Sequence, residues 1–170
     1  MLQNTIIDRL ARVLFVLAMK VKARAQRYIV STYPAIDQSV KIGANVQIIG
    51  PKDSFEIGRD TYINEAIISA GEKSKVIIGE RCAIGYRVSI KAITHDVDDP
   101  CGLVEGIIRT KEATIVIGDD CWIGDGVFIR EGVTIGDNVI VGANSVVTKS
   151  VPSWTVVAGA PAVIIEQRNH

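Results

Sequence analysis

Aromatic residues, cysteines and net charge are all scarce in this sequence, and each shortage argues against a class of protein. Phe, Trp and Tyr make up 5% of the 170 residues, which favours many short strands and turns over an aromatic-rich core. The three cysteines lack CxxC spacing, which argues against a disulfide framework or structural zinc site and indicates a reducing compartment, the cytoplasm. A formal net charge of zero argues against a broad nucleic-acid-binding surface.

Long hydrophobic runs are missing as well. Residues 13–19 (VLFVLAM) form a run of seven apolar residues. This run is too short for a membrane span, and no small-residue cleavage site follows it, so neither a transmembrane helix nor a signal peptide is predicted. The chain is 48% apolar and 22% charged, which is typical of one folded domain rather than of a disordered chain.

An aliphatic residue followed by glycine recurs along the chain, often at intervals of six residues. The pairs are Ile42-Gly43, Ile57-Gly58, Ile78-Gly79, Ile84-Gly85, Ile117-Gly118, Ile123-Gly124, Ile135-Gly136 and Val141-Gly142. A period of six fits neither a helix nor a simple strand, but it fits short strands joined by tight turns, with three strands in a coil of about 18 residues. We therefore predict an all-β solenoid over residues 31–165 that buries an aliphatic column, with a tail at residues 166–170.

The repeat is interrupted between Ile90 and Ile117, which predicts one long loop excursion over residues 91–116. Loops of this length are usually functional or disordered. His95 lies near the start of the excursion, and the other histidine of the chain is His170. Because imidazole has a pKa of about 6.5, it can accept a proton at neutral pH and return it, so His95 is the candidate general base.

The first 30 residues form a basic segment with helical periodicity. Their charged residues are Arg9, Arg12, Lys20, Lys22, Arg24 and Arg27 against the single acidic Asp8, a net charge of +5 that leaves −5 on the rest of the chain. Their apolar residues share one helical face, which predicts an amphipathic helix over residues 1–30. Two roles are open. We favour a cap on the first coil, which solenoids require, and the alternative is contact with a membrane surface or lipid substrate.

The stretch from Ile117 to Ala162, IGDDCWIGDGVFIREGVTIGDNVIVGANSVVTKSVPSWTVVAGAPA, resembles the hexapeptide-repeat acyltransferases, with its WIG, VTK and AGAPA elements as the most specific features. The resemblance covers about residues 36–165 and is strongest to the polysaccharide or sugar O-acetyltransferase branch. It implies a left-handed parallel β-helix, a homotrimer, acetyl-CoA bound in a groove between adjacent helices, and His95 as the general base for transfer to a sugar hydroxyl.

The resemblance also implies roles for individual residues. The coenzyme groove would involve Trp122, Gly124, Asp125, Ala143, Thr148 and Lys149. The acceptor would involve Asn64. Asp96 and Arg109 are further candidates for contact with the acceptor because of their position in the excursion. Backbone N–H groups near Gly124 and Asp125 would stabilise the oxyanion, and Trp122 could equally pack between subunits.

Several alternatives stay open at this point. The catalytic asparagine of relatives falls either at Asn64 or at Ala66. Val163 follows Ala162 where relatives carry a basic residue, so Lys149 or Arg168 would have to replace that phosphate contact. Transfer to an amino sugar and a non-catalytic binding solenoid are the alternative functions. A γ-type carbonic anhydrase would need at least two zinc-binding histidines per chain, so no metal site is predicted.

Overall fold

The computed structural model describes residues 2–96 and 109–169, so most of the predicted excursion, with Cys101 and Glu105, lies outside the described residues. The described chain begins with one long helix, α1 (Leu2–Thr32), and continues mainly as short strands with one 3-10 turn at Lys52–Ser54. The strands form one separate hairpin and three sheets, which are parallel except for the last strand of the first sheet.

Each sheet collects strands that are far apart in sequence. The first sheet contains β1 (Lys41–Ile42), β4 (Tyr62–Ile63), β7 (Ala83–Ile84), β12 (Trp122–Ile123), β15 (Ile140–Val141), β17 (Thr155–Gly159) and β18 (Ala162–Gln167). The second sheet contains β2 (Gln47–Ile49), β5 (Ala66–Ser69), β8 (Val88–Lys91), β13 (Phe128–Ile129) and β16 (Val146–Val147). The third sheet contains β3 (Phe55–Ile57), β6 (Val76–Ile78), β11 (Ile115–Ile117) and β14 (Thr134–Ile135).

In chain order the strands visit the first, second and third sheets in rotation, and one such passage is called a coil below. Strands of successive coils lie in register, so Ile63 is paired with Ile84, and Ile84 with Ile123. These side chains are buried, as are their counterparts in the other two sheets. The predicted aliphatic column is therefore confirmed, and the six-residue frame is the spacing from one inward side chain to the next.

The turn between the third and first sheets is held by a ladder of hydrogen bonds from coil to coil. The N–H of Glu80 donates to Asp119 Oδ1 at 2.8 Å, and the N–H of Asp119 donates to Asp137 Oδ1 at 2.9 Å. The N–H of Asp137 donates to Ser153 Oγ at 2.9 Å. A Cβ on Gly118 would lie 2.2 Å from Asp137 Oδ1, so this close approach requires glycine. Each rung satisfies a turn amide that the strands leave unpaired.

The excursion leaves the second sheet as a two-stranded antiparallel stem made of β9 (Ile93–His95) and β10 (Thr110–Glu112). Lys91 still belongs to β8, and residues 115–116 already belong to β11, so the excursion is shorter at both ends than the predicted span 91–116. The stem lies where the second sheet turns into the third. It is antiparallel because the chain leaves and re-enters the coil at the same corner.

Helix α1 extends two residues beyond the predicted segment, but most of it does not touch the coils. Its apolar residues Ile7, Leu10, Val13, Leu14, Phe15, Val16, Leu17, Met19 and Val21 are 50% to 67% exposed. Only its last turn packs on the first coil, through the buried Val30 and the half-buried Ile29. Within one chain, contact between the helix and the first coil is thus limited to this last turn, and the role of the helix as a cap stays a prediction. No helix in the described ranges combines the length and the apolar content that crossing a membrane requires.

The last strand, β18, runs antiparallel to β17 at the edge of the first sheet. It includes Gln167, so the predicted tail at residues 166–170 begins inside a strand. Val163, Ile164 and Ile165 are exposed on it. The hairpin closes the C-terminal end of the first sheet, because β18 pairs with the last parallel strand.

Candidate active site

The candidate general base, His95, is the last residue of β9 and is exposed to solvent. In the stem it lies opposite Thr110. The N–H of Asp96 donates to the carbonyl oxygen of Arg109 at 3.1 Å. The structure thus brings together three of the predicted site residues, His95, Asp96 and Arg109, at the corner between the second and third sheets. The imidazole projects from a hydrogen-bonded stem rather than from the aliphatic column.

Two carboxylates outside the predicted site fasten this stem to the coils on either side. Glu112 accepts a hydrogen bond from the N–H of Lys73 at 2.7 Å. On the other side, Lys111 Nζ lies 3.6 Å from Glu131 Oε1. The Glu131 side chain is only 4% exposed and also pairs with Arg130. The hydrogen bond from the Arg130 guanidinium is the main cause that holds the pKa of Glu131 below its usual range, with the nearby charges of Arg130 and Lys111 adding to it.

Sequence reasoning missed Glu112 and Glu131 because carboxylates at turns are ordinary solvated residues. Lys73 and Glu112 are 39 residues apart in the chain. Their contact depends on the stacking of coils and on where the excursion re-enters, which a period of six does not specify. No sequence signal distinguishes these two acids from the other corner acids.

A second group of predicted residues lies at the corner between the first and second sheets. Asp125 Oδ1 accepts a hydrogen bond from the N–H of Tyr86 at 2.8 Å, which is a rung like those of the other ladder. The next rung is missing because the residue one coil further on is Ala143, whose side chain has no acceptor. Within the described ranges, the backbone N–H of Asp125 therefore has no hydrogen-bond acceptor. The N–H of Gly124 donates to the carbonyl of Val141 at 2.8 Å, so of the two predicted oxyanion donors only that of Asp125 is available.

Asn64 lies at the same corner, three coils before Ala143. Its backbone N–H donates to the carbonyl of Ile84 at 3.0 Å, and its side chain is half-buried. A cavity of about 580 Å³ opens beside it, lined in part by Glu65, Ala66 and Arg87. Because Ala66 is buried and carries no polar group, Asn64 is the residue of the two that can bind a polar acceptor.

The remaining predicted coenzyme residues lie elsewhere. Trp122 is exposed on the outer face of the first sheet, between Ala83 and Ile140 of the neighbouring strands. Thr148 and Lys149 follow β16 at the corner between the second and third sheets. They line a cavity of about 340 Å³ together with residues of β18.

Arg168 does not share the cavity beside Lys149. Its guanidinium donates to the carbonyl of Asn138 at 3.0 Å and lies 5.9 Å from the centre of the Trp154 ring. Both partners belong to the corner between the third and first sheets. Of the two cations that could replace the missing basic residue, Lys149 is therefore the one beside Val163 in this chain.

The predicted site residues thus form two groups at different corners. His95, Asp96 and Arg109 lie at one edge of the second sheet, and Asn64, Asp125 and Ala143 lie at the other. A coil needs about five residues of extended chain, roughly 17 Å, to pass between these edges. A single chain therefore does not bring the candidate base next to the available amide of Asp125. Among the described residues, no three His, Cys, Asp or Glu side chains gather in a way that could hold a metal ion.

Comparisons with known proteins agree with this architecture. The family model for bacterial transferase hexapeptide repeats (six repeats) matches residues 114–149. No curated protein sequence matches the chain. A solved hexapeptide-repeat-containing acetyltransferase from Vibrio cholerae O1 biovar eltor, complexed with acetyl-coenzyme A, is 32% identical over 78% of this chain and 72% of its own, with a TM-score of 0.63.

Two enzymes that are named for their sugars match this chain to a similar extent. A maltose O-acetyltransferase from Clostridium difficile 630 is 31% identical over 77% of this chain and 67% of its own, with a TM-score of 0.67. A galactoside acetyltransferase in complex with coenzyme A is 33% identical over 76% of this chain and 64% of its own, with a TM-score of 0.63. Because the Vibrio cholerae and Clostridium difficile relatives exceed 30% identity and are matched over two thirds or more of their length, the chain belongs to the hexapeptide-repeat acetyltransferase family.

Proposed function

We propose that this protein transfers the acetyl group of acetyl-CoA to a hydroxyl group of a sugar or polysaccharide, with His95 as general base. The observation that carries the proposal is the exposed imidazole on a stem that interrupts the aliphatic frame and is fastened on both sides. Acetyl-CoA as donor is supported by the relatives solved with acetyl-CoA or coenzyme A. A carbohydrate acceptor is supported by the relatives named for maltose and galactoside.

In the proposed reaction the acceptor hydroxyl oxygen attacks the thioester carbonyl as His95 takes the hydroxyl proton. The tetrahedral intermediate carries its negative charge on the former carbonyl oxygen, to which the N–H of Asp125 can donate. The C–S bond then breaks, the ester is released, and the imidazolium returns the proton to the coenzyme thiolate. Every bond that forms in this reaction is matched by a bond that breaks, and the proton passes from the acceptor hydroxyl through His95 to the thiolate. No step needs a metal ion.

We further propose that the protein is a homotrimer of left-handed parallel β-helices and that it acts in the cytoplasm. His95 and Asp125 lie at opposite edges of the second sheet, so a neighbouring copy must supply one of them to complete a site. A closed threefold assembly of three-sided coils would place one such pair at each interface. Trp122, Thr148 and Lys149 would then line the coenzyme groove between copies, and Asn64 would contact the acceptor.

The proposal is tested by measuring thiol release from acetyl-CoA over a panel of sugars, oligosaccharides and amino sugars. His95→Ala is expected to lower turnover by about 10²–10⁴-fold on the accepted substrate, which is the usual contribution of a general base. His170→Ala is the matched control, because it removes the other histidine. Equal release by the wild type and His95→Ala would contradict the mechanism. Mass spectrometry of the product separates ester from amide, and an amide alone would contradict O-acetylation.

A further inference from the structure

Helix α1 is a long element that nothing in the described chain covers. Its 31 residues span about 45 Å, yet only its last turn is packed. Helices in proteins owe most of their stability to the packing of an apolar face, and an exposed apolar patch of this extent marks an interaction site. The helix therefore requires a partner surface with which its apolar side chains can pack.

The distribution of side chains specifies that surface. Leu10, Leu14, Leu17 and Val21 follow one another along one side of the helix. Phe15, Val16 and Met19 are also exposed and extend the apolar surface around the middle of the helix. Basic residues flank this middle part on both sides in sequence, with Arg9 and Arg12 before it and Lys20, Lys22, Arg24 and Arg27 after it.

We infer that α1 lies along the surface of an anionic lipid membrane, with its apolar middle part among the acyl chains and its basic residues at the headgroups. Long Lys and Arg side chains can reach the headgroups from a helix whose body is buried. The net charge of +5 on residues 1–30 is attracted by anionic lipids, whereas the body of the chain carries −5. The apolar run of seven residues is too short to span, so the helix binds at the interface.

Packing against further copies of α1 is the competing explanation, and charge argues against it. Helices related by symmetry would bring identical basic residues close to one another, and like charges at such distances repel. An anionic surface neutralises the same residues. This inference stands independently of the acetyl-transfer chemistry, because α1 contains none of the proposed site residues.

Sedimentation of the full-length protein with liposomes tests the inference. Pelleting is expected with liposomes that contain phosphatidylglycerol and is expected to fall at least tenfold with phosphatidylcholine alone or at high salt. Leu14→Glu combined with Leu17→Glu, and separately Arg9→Gln combined with Arg12→Gln, should each abolish or strongly reduce pelleting. Ile49→Glu is the matched control, because it places a carboxylate on an exposed apolar residue outside the helix and should leave pelleting unchanged.

Two outcomes would overturn the inference. Equal pelleting with neutral and anionic liposomes would show that attraction to anionic lipids does not drive binding. Pelleting of both double variants at the wild-type level would show that α1 does not contact the membrane. If Leu14→Glu with Leu17→Glu instead dissociates the oligomer in analytical ultracentrifugation and leaves pelleting intact, α1 packs against its own copies. Thiol release with a soluble acceptor is measured on the same variants, so that a failure of catalysis is recognised separately.

Discussion

At the scale of single residues, the amide of Asp125 is set apart from its counterparts by one missing side chain. The N–H groups of Glu80, Tyr86 and Asp119 each donate to an Asp one coil further on, and that of Asp137 donates to Ser153. Ala143 supplies no such acceptor. Asp125 is exposed, so water can satisfy this amide in the free protein. Because the donor lies at a corner of predicted site residues, a ligand oxygen can take the place of that water.

Ala143→Asp is expected to complete the missing rung and so to remove this donor from catalysis. Turnover should fall by about 10²-fold, the usual effect of losing one oxyanion donor, while the melting temperature stays the same or rises. Ser153→Asp is the control, because it introduces the same side chain at a rung that already exists. Parallel measurement of thiol release and thermal unfolding checks both expectations. Full activity in Ala143→Asp would show that the amide of Asp125 does not contact the reacting carbonyl.

At the scale of elements, the sequence predicts the coils better than the contacts between them. The aliphatic-glycine frame places Ile84 and Ile123 in the column because the inward position recurs at a constant spacing. The same frame locates the interruption that carries His95. It does not specify the fastening of the stem by Glu131, because that contact depends on the side chains of two separate coils. Likewise, periodicity predicts α1 as a helix but does not specify which surface its apolar face contacts.

The stem gives a prediction that depends on pH. Glu131→Gln removes the ion pairs to Arg130 and Lys111 and is expected to lower the free energy of unfolding by about 1–2 kcal/mol at neutral pH. The pKa of Glu131 is lowered in the folded state, chiefly by the hydrogen bond from Arg130, so its stabilisation is present above the ordinary carboxyl value of 4.5. That stabilisation is lost as the pH falls through the folded-state pKa, so wild type and variant should converge in acid.

Urea unfolding at neutral pH and below about pH 4 measures this difference. Glu56→Gln is the control, because Glu56 pairs with Lys75 at 2.7 Å on the surface, where such a change costs about 0–1 kcal/mol. Because the stem carries His95, Glu131→Gln should also lower kcat more than it changes KM for acetyl-CoA. A constant difference in stability across the pH range would show that the carboxylate charge does not fasten the stem.

At the scale of the whole molecule, helix α1 and the stem leave the stack of coils at different places. Helix α1 joins the first coil, and the stem leaves the third of the six described coils, about 10 Å further along the axis at the usual strand spacing. Helix α1 contains none of the proposed site residues. The proposed site and the proposed membrane contact are thus compatible within one assembly, although each is tested separately.

The position of His95 and Asp125 at different corners also predicts complementation between defective subunits. If each site takes His95 from one copy and the Asp125 amide from the next, mixed trimers of His95→Ala and Ala143→Asp contain some sites with both groups intact. Random mixing of equal amounts should restore about a quarter of the wild-type activity in the whole mixture, since each of the two required copies is suitable in half of the cases. Purified mixed trimers should show about a third, because one of their three sites then has both groups intact. Refolding or coexpressing the two variants with different affinity tags, and purifying on both tags, isolates the mixed trimers for the thiol-release assay. Activity no higher than that of the separate variants would contradict a site shared between copies. Either a single chain would then supply both groups across the width of the second sheet, or one of the two groups would not belong to the site.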